Sequence, residues 1–116
     1  MAHGLHEVPE VEMSGVPDEL PASLVVVDVR EDAEWTAGHI EPATHIPLME
    51  LSQRFDEVPT DRQVLVVCRS GARSAQATAF LQAQGCEAVN LAGGMKAWQT
   101  AGRAMTSERD APPDVI

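Results

Sequence analysis

Basic residues are scarce in this chain: 8 Lys and Arg stand against 18 Asp and Glu in 116 residues, for a formal net charge of −10. Nucleic acid and anionic membrane surfaces both reward a basic face, so neither is expected as the main partner. Cysteine is scarcer still, with only Cys68 and Cys86. Two cysteines are too few for a disulfide scaffold, and their spacing and neighbours do not make a metal site. A reducing compartment leaves both as thiols. No apolar run approaches the ~20 residues of a membrane span. Met1–Glu12 has neither a basic start nor an apolar stretch, so no secretory signal is read there and the cytoplasm is the expected compartment. Internal repeats and low-complexity segments are missing as well.

The remaining composition, 44% apolar and 22% charged, suits one soluble globular domain with a single core. A monomer is expected, since no large exposed apolar stretch stands out. The charge is uneven. Residues 1–61 hold 2 basic and 14 acidic side chains, whereas residues 62–116 hold 6 and 4. The acidic half reads as a solubilising surface, and the mildly basic half contains Cys68.

Two short β-branched runs, Leu24–Val29 and Val64–Val67, are nearly continuous in apolar residues, the first broken only by Asp28. They are too short for helices and do not alternate, which predicts parallel strands covered on both faces. Weaker strands are expected at Ala88–Leu91, at Thr44–Ile46 and near Val11–Met13. Helices are expected at Glu31–Thr36, at Leu48–Phe55, at Ser74–Gln84 with Gly85 as its C-terminal cap, and at Met95–Thr100. Residues 1–10 read as a flexible leader, 11–105 as the domain, and 106–116 as a polar, proline-bearing tail that frays. Strands alternating with helices imply an α/β fold with a mainly parallel sheet. In such sheets ligands bind beyond the carboxyl ends of the strands, and Cys68 directly follows one strand and precedes a helix.

The segment Cys68-Arg69-Ser70-Gly71-Ala72-Arg73-Ser74 places a thiol where unpaired helix N–H groups and the helix dipole favour an anion. Arg69 and Arg73 add two full charges. Such surroundings lower a thiol pKa from ~8.5 into the range of about 3.5–7.5. Gly71 permits a tight backbone curve, and small Ser70 and Ala72 leave the amides accessible, so the loop is expected to form a concave anion site. The plainer alternative is a buried structural cysteine, for which two arginines and a glycine are poor company.

CRSGARS resembles the active-site loop of rhodanese-homology domains. The rest of the chain agrees in order: VVDVRE at Val26–Glu31, GHI at Gly38–Ile40, IPL at Ile46–Leu48 and NLAGGMKAW at Asn90–Trp98. Each string is weak alone; the ordered set, spanning about residues 20–105, is specific. The resemblance implies a three-layer domain with helices flanking the central sheet. It also implies a sulfurtransferase in which Cys68 takes sulfane sulfur from a donor such as thiosulfate and passes it from a persulfide to cyanide, a thiol or a protein. Loop groups from Arg69 through Ser70, Gly71 and Ala72 to Arg73 would bind the substrate and hold the persulfide charge, with Arg69 and Arg73 drawing in a dianionic donor. No cofactor or metal is implied.

The chain departs from the two-domain thiosulfate enzymes of that family in two places. Ser70 stands where their loop has lysine, and Glu34 stands where they have a substrate-binding arginine. These departures predict weak use of thiosulfate and leave the donor open. A sulfur carrier fed by a partner protein is therefore the alternative, and a non-catalytic interaction module, which needs no cysteine, is the third. Phosphatases of related fold have five residues between cysteine and arginine. Here there are four, and Ser74 occupies their arginine position. The smaller loop suits one sulfur atom better than a tetrahedral oxyanion.

Asp28 and Arg30 flank Val29 and point to the same side by strand alternation, so the carboxylate is expected to pair with an arginine or to cap a nearby loop; the resemblance implies that the pair braces the site. The GHI string resembles a structural element of rhodanese-homology domains, which implies that His39 is a hydrogen-bonding turn residue rather than a general base. His3 and His6 are incidental leader residues. Trp98 is expected against the sheet, Trp35 as partly exposed packing, and Gly93-Gly94 where backbones approach closely. Cys86 reads as a semi-buried small residue. As a resolving thiol it would lie too far from Cys68, ~11 helical residues at 1.5 Å each.

Overall fold

The computed structural model describes residues 8–116. Five strands form one fully parallel sheet: β1 (Glu10–Val11), β2 (Val25–Asp28), β3 (Thr44–His45), β4 (Gln63–Val67) and β5 (Glu87–Leu91), in the order β1-β5-β4-β2-β3. Four helices accompany it: α1 (Asp32–Ala37), α2 (Leu51–Arg54), α3 (Ala72–Ala83) and α4 (Gly94–Thr100). The expected α/β architecture is therefore present. No helix among the described residues is long and apolar enough to cross a membrane.

The two apolar runs become the central strands because they have a core on either side. Side chains alternate across a strand. Val27, Val64 and Val66 enter the core cluster that holds Ala77 and Leu81 of α3. Val26, Leu65 and Val67 enter the other, with Met95 and Trp98 of α4. Trp98 thus packs against the sheet, and its indole N–H donates to the Ala104 carbonyl at 3.0 Å.

Several boundaries differ from expectation for identifiable reasons. The stretch Leu48–Phe55 is not one helix. A 3-10 turn at Leu48–Glu50, the single turn of α2 and a second 3-10 turn at Phe55–Glu57 share it. The Leu48 amide is already committed to the Val29 carbonyl at 3.0 Å, which ties the entry to β2, and so short a segment gains little helical cooperativity. Helix α3 begins at Ala72, ahead of the expected Ser74, because Gly71 turns the chain in a left-handed conformation (φ 113°). The first strand sits at Glu10–Val11, one residue before its expected place, with a 3-10 turn at Met13–Gly15. The assumed leader thus reaches into the sheet at Glu10; His3 and His6 lie outside the described residues.

The tail expected to fray is tied to α1. Glu108 N–H donates to the Thr36 carbonyl and Asp114 N–H to the Ala37 carbonyl, each at 2.9 Å, while Thr106 and His39 exchange two backbone bonds of 2.8 Å. These partners are the carbonyls that a helix end leaves free.

Candidate active site

The order β4-β2 marks the point where the chain reverses direction across the sheet, and Cys68 emerges there at the carboxyl end of β4. The residue is 1% exposed, so only a slender group can reach its sulfur. The loop after it is shaped by α4. Met95 N–H donates to the Cys68 carbonyl at 2.7 Å and Lys96 N–H to the Arg69 carbonyl at 3.0 Å. With the carbonyls drawn off to one side, amides face the sulfur, and Gly71 N–H donates to Sγ at 3.1 Å. Docking this close needs Gly94. A Cβ there would press on the Cys68 carbonyl oxygen and lie 2.8 Å from the Arg69 carbonyl carbon. The close approach expected of Gly93-Gly94 is thus located against the backbone of Cys68 and Arg69.

Burial by itself pushes the Cys68 thiol up. The Ser74 hydroxyl and the amides of Ser74, Gly71 and Ser70 more than offset that, and the thiol titrates below its ordinary value. Ser74, fully buried in α3, places Oγ 3.2 Å from Sγ.

The two loop arginines were expected to face a donor. Arg73 instead makes a two-pronged ion pair with Glu34 of α1, at 2.7 and 2.9 Å. That hydrogen-bonded pairing lowers the Glu34 pKa and raises that of Arg73. Glu34 is fixed in turn by the α1 capping box, accepting from the Glu31 amide at 2.9 Å. Arg69 Nε donates to the Ile116 carbonyl at 2.9 Å. Ser70 and Ala72 stand exposed on the rim.

Asp28 and Arg30 do pair, both fully buried, through Nε and Nη2 at 2.7 to 3.1 Å, and Nη2 also donates to the Gly38 carbonyl at 2.8 Å. A buried pair of this kind fixes geometry more than it stabilises; here it ties the end of β2 to the turn after α1. His39 is held in that turn between the Ile40 carbonyl (3.0 Å) and the Glu108 carboxylate (2.7 Å), away from the sulfur's hydrogen bonds. Trp35 lies stacked between His39 and His45, with ring centroids 3.5 and 4.7 Å away.

Cys86 precedes β5 at the opposite end of the strands, six residues or about 20 Å from Cys68 by strand register. It is buried, which pushes its thiol up. Among the described residues no group of three or more His, Cys, Asp and Glu side chains is gathered for a metal.

Sequence reasoning overlooked two residues that touch this network. Asn90 of β5 accepts from the Ser74 hydroxyl at 2.5 Å and donates to the Gly71 carbonyl at 3.2 Å and the Glu10 carboxylate at 3.1 Å. Glu10 faces Asn90 in register across β1 and β5. Asn90 opens the NLAGG string, but its role depends on a strand pairing that no local pattern reveals.

Comparison with known proteins gives the same picture over most of the chain. The rhodanese-like domain family matches residues 16–101. The putative sulfurtransferase YtwF of Bacillus subtilis is 34% identical over 95 residues, which is 80% of this chain and 92% of that protein. A sulfurtransferase of Allochromatium vinosum is 46% identical over 76 residues, 65% of this chain and 71% of that one. The crystal structure of a rhodanese-related protein from Thermoplasma volcanium superposes with a TM-score of 0.79 at 28% identity, covering 84% of this chain and 97% of that one. A match of this extent, with the same fold, means that the chain belongs to the rhodanese-like domain family, among whose members are proteins named as sulfurtransferases.

Proposed function

We propose that the protein transfers sulfane sulfur through a persulfide on Cys68. The observation that carries this reading is the loop itself: the Gly71 amide and the Ser74 hydroxyl reach Cys68 Sγ at 3.1 and 3.2 Å, and with the neighbouring amides they lower the thiol pKa. The Cys68 thiolate attacks the sulfane sulfur of the donor. A bond forms between Sγ and that sulfur as the donor's bond to it breaks, and the electron pair leaves with the donor remnant, which is sulfite when the donor is thiosulfate. The terminal persulfide sulfur then carries the negative charge among the loop amides. An acceptor such as cyanide, a thiol or a protein thiolate attacks that sulfur, and the electron pair returns to Cys68. The exchange needs no external oxidant, because each step is a displacement at sulfur in which one bond forms as a sulfur–sulfur bond breaks. Intact mass after incubation with thiosulfate tests it. The expected result is a gain of one sulfur atom, lost again on adding cyanide. No gain with thiosulfate would remove thiosulfate as the donor; no gain with thiosulfate, a small persulfide and a cysteine-desulfurase persulfide alike would overturn the reading.

One observation favours a donor other than thiosulfate. The Arg73–Glu34 pair cancels a charge that a dianion needs. This supports the alternative of a carrier that receives sulfur from the persulfide of a partner protein. Glu34→Gln should free Arg73 and raise kcat/KM for thiosulfate about tenfold, the worth of one charge-assisted hydrogen bond. Turnover of a small thiol persulfide should move much less. Equal changes with both donors would show that the pair does not select by charge.

A further inference from the structure

The hydrogen bonds around Ser74 do not close with a single proton arrangement. Its one hydroxyl proton has two acceptors in reach, Cys68 Sγ at 3.2 Å and Asn90 Oδ1 at 2.5 Å. The Asn90 amide has no alternative orientation. Both of its N–H bonds are spent, on the Gly71 carbonyl and the Glu10 carboxylate, and neither of those groups donates. Its oxygen therefore always faces Ser74. Ser74 is fully buried and Asn90 is 1% exposed, so solvent does not relieve the competition.

We infer that Asn90 is a positioning residue that competes with Cys68 for the Ser74 proton, so that the Ser74 hydroxyl works as a two-position switch between the free and sulfur-loaded forms of the site. In the free thiolate form the hydroxyl turns to Sγ, and Asn90 Oδ1 is left facing a lone pair. Once Sγ is bonded to a second sulfur, the negative charge resides on that outer atom. Sγ then needs no donor, and the hydroxyl turns to Asn90. No proton enters or leaves; one O–H rotates. Asn90 thus opposes the free thiolate and favours the loaded state. The loaded half of the inference rests on the persulfide reading above. The free half concerns only the thiol and is tested without any sulfur donor.

Other charges surround the loop: Arg69 within it, Arg73 with Glu34 from α1, the Asp28–Arg30 pair at the end of β2, Lys96 at the start of α4, and Glu10 from β1. None of these residues is substituted in the variants Asn90→Ala, Ser74→Ala and the double variant, and the double variant controls for the loss of Glu10's Asn90 partner; for each, the pH dependence of Cys68 alkylation by iodoacetamide gives the thiol pKa. Ser74→Ala should raise it. Asn90→Ala should lower it by about half to one unit, the equivalent of one neutral hydrogen bond. In the Ser74→Ala background, removing Asn90 should change nothing further. A merely structural Asn90 gives the opposite sign, because a slackened loop returns the thiol toward its ordinary value. A rise, no change, or an equal fall with and without Ser74 would overturn the inference. Should Asn90→Ala fail to fold, Asn90→Leu keeps the side chain's size and shape but has no acceptor. Its downward shift should appear with Ser74 present and vanish without it, and equal shifts would overturn the inference. The persulfide reading has a separate readout, the gain of sulfur mass, so either can fail alone.

Discussion

Cys68→Ser should lose sulfur transfer by about four orders of magnitude or more, the scale seen when a nucleophile is removed from a site that otherwise stays intact. The substitution is nearly isosteric, and the serine hydroxyl inherits the Gly71 amide and the Ser74 contact, so the fold should persist with a cooperative unfolding transition. What disappears is the chemistry. A hydroxyl is not ionised at neutral pH under these conditions and forms no stable persulfide analogue. Steady-state transfer from thiosulfate or a small persulfide to cyanide, alongside intact mass, measures the loss. Turnover above about one per cent of wild type, well over the residual expected, would remove Cys68 as the sulfur carrier. Cys86 offers no bypass, since it is buried at the far end of the strands with a thiol pushed up by burial.

Gly94→Ala should be the most damaging change at a residue that touches neither donor nor sulfur. Two costs combine. The backbone is left-handed there (φ 56°), and the new methyl meets the backbone of Cys68 and Arg69 rather than a yielding side chain. The bonds from Met95 and Lys96 to the loop carbonyls must then stretch. A destabilisation of about 2–4 kcal/mol is expected, with persulfide formation reduced more than tenfold in the molecules that remain folded. Gly102→Ala is the control. Its backbone is also left-handed (φ 72°), but nothing lies within 4 Å of the added atom. It should cost about 1 kcal/mol and leave transfer unchanged. Denaturant midpoints and transfer rates of the two variants measure the difference. Equal losses would show that docking of α4 does not shape the loop.

The legible part of this protein was the part written in contiguous residues. Two β-branched runs gave the central strands, and the pattern put Cys68 between a strand and a helix, at the carboxyl end of β4, where it lies. The short strand at Thr44–His45 and the helix after Gly71 followed from the same patterns. What stayed hidden depends on which strands are neighbours. Glu10 and Asn90 are 80 residues apart and meet only because β1 pairs with β5. Glu34 was singled out as a charge unfavourable to a dianion, but not as the partner that occupies Arg73. The tail was misread for a similar reason. Its polar, proline-bearing composition says nothing of the carbonyls at Thr36 and Ala37 that hold its backbone.

The edge strand β1 has a last consequence. It is two residues long, and the Asn90 and Ala92 amides hold it through the Pro9 and Val11 carbonyls at 2.8 and 2.9 Å. So short an edge opens by local unfolding at a small fraction of the free energy of global unfolding. Each opening carries Glu10 away from Asn90 while the loop, α3 and α4 remain packed. The Glu10–Asn90 contact is therefore expected to be an average over closed and peeled molecules, one that temperature and mild denaturant should shift before the fold itself is lost.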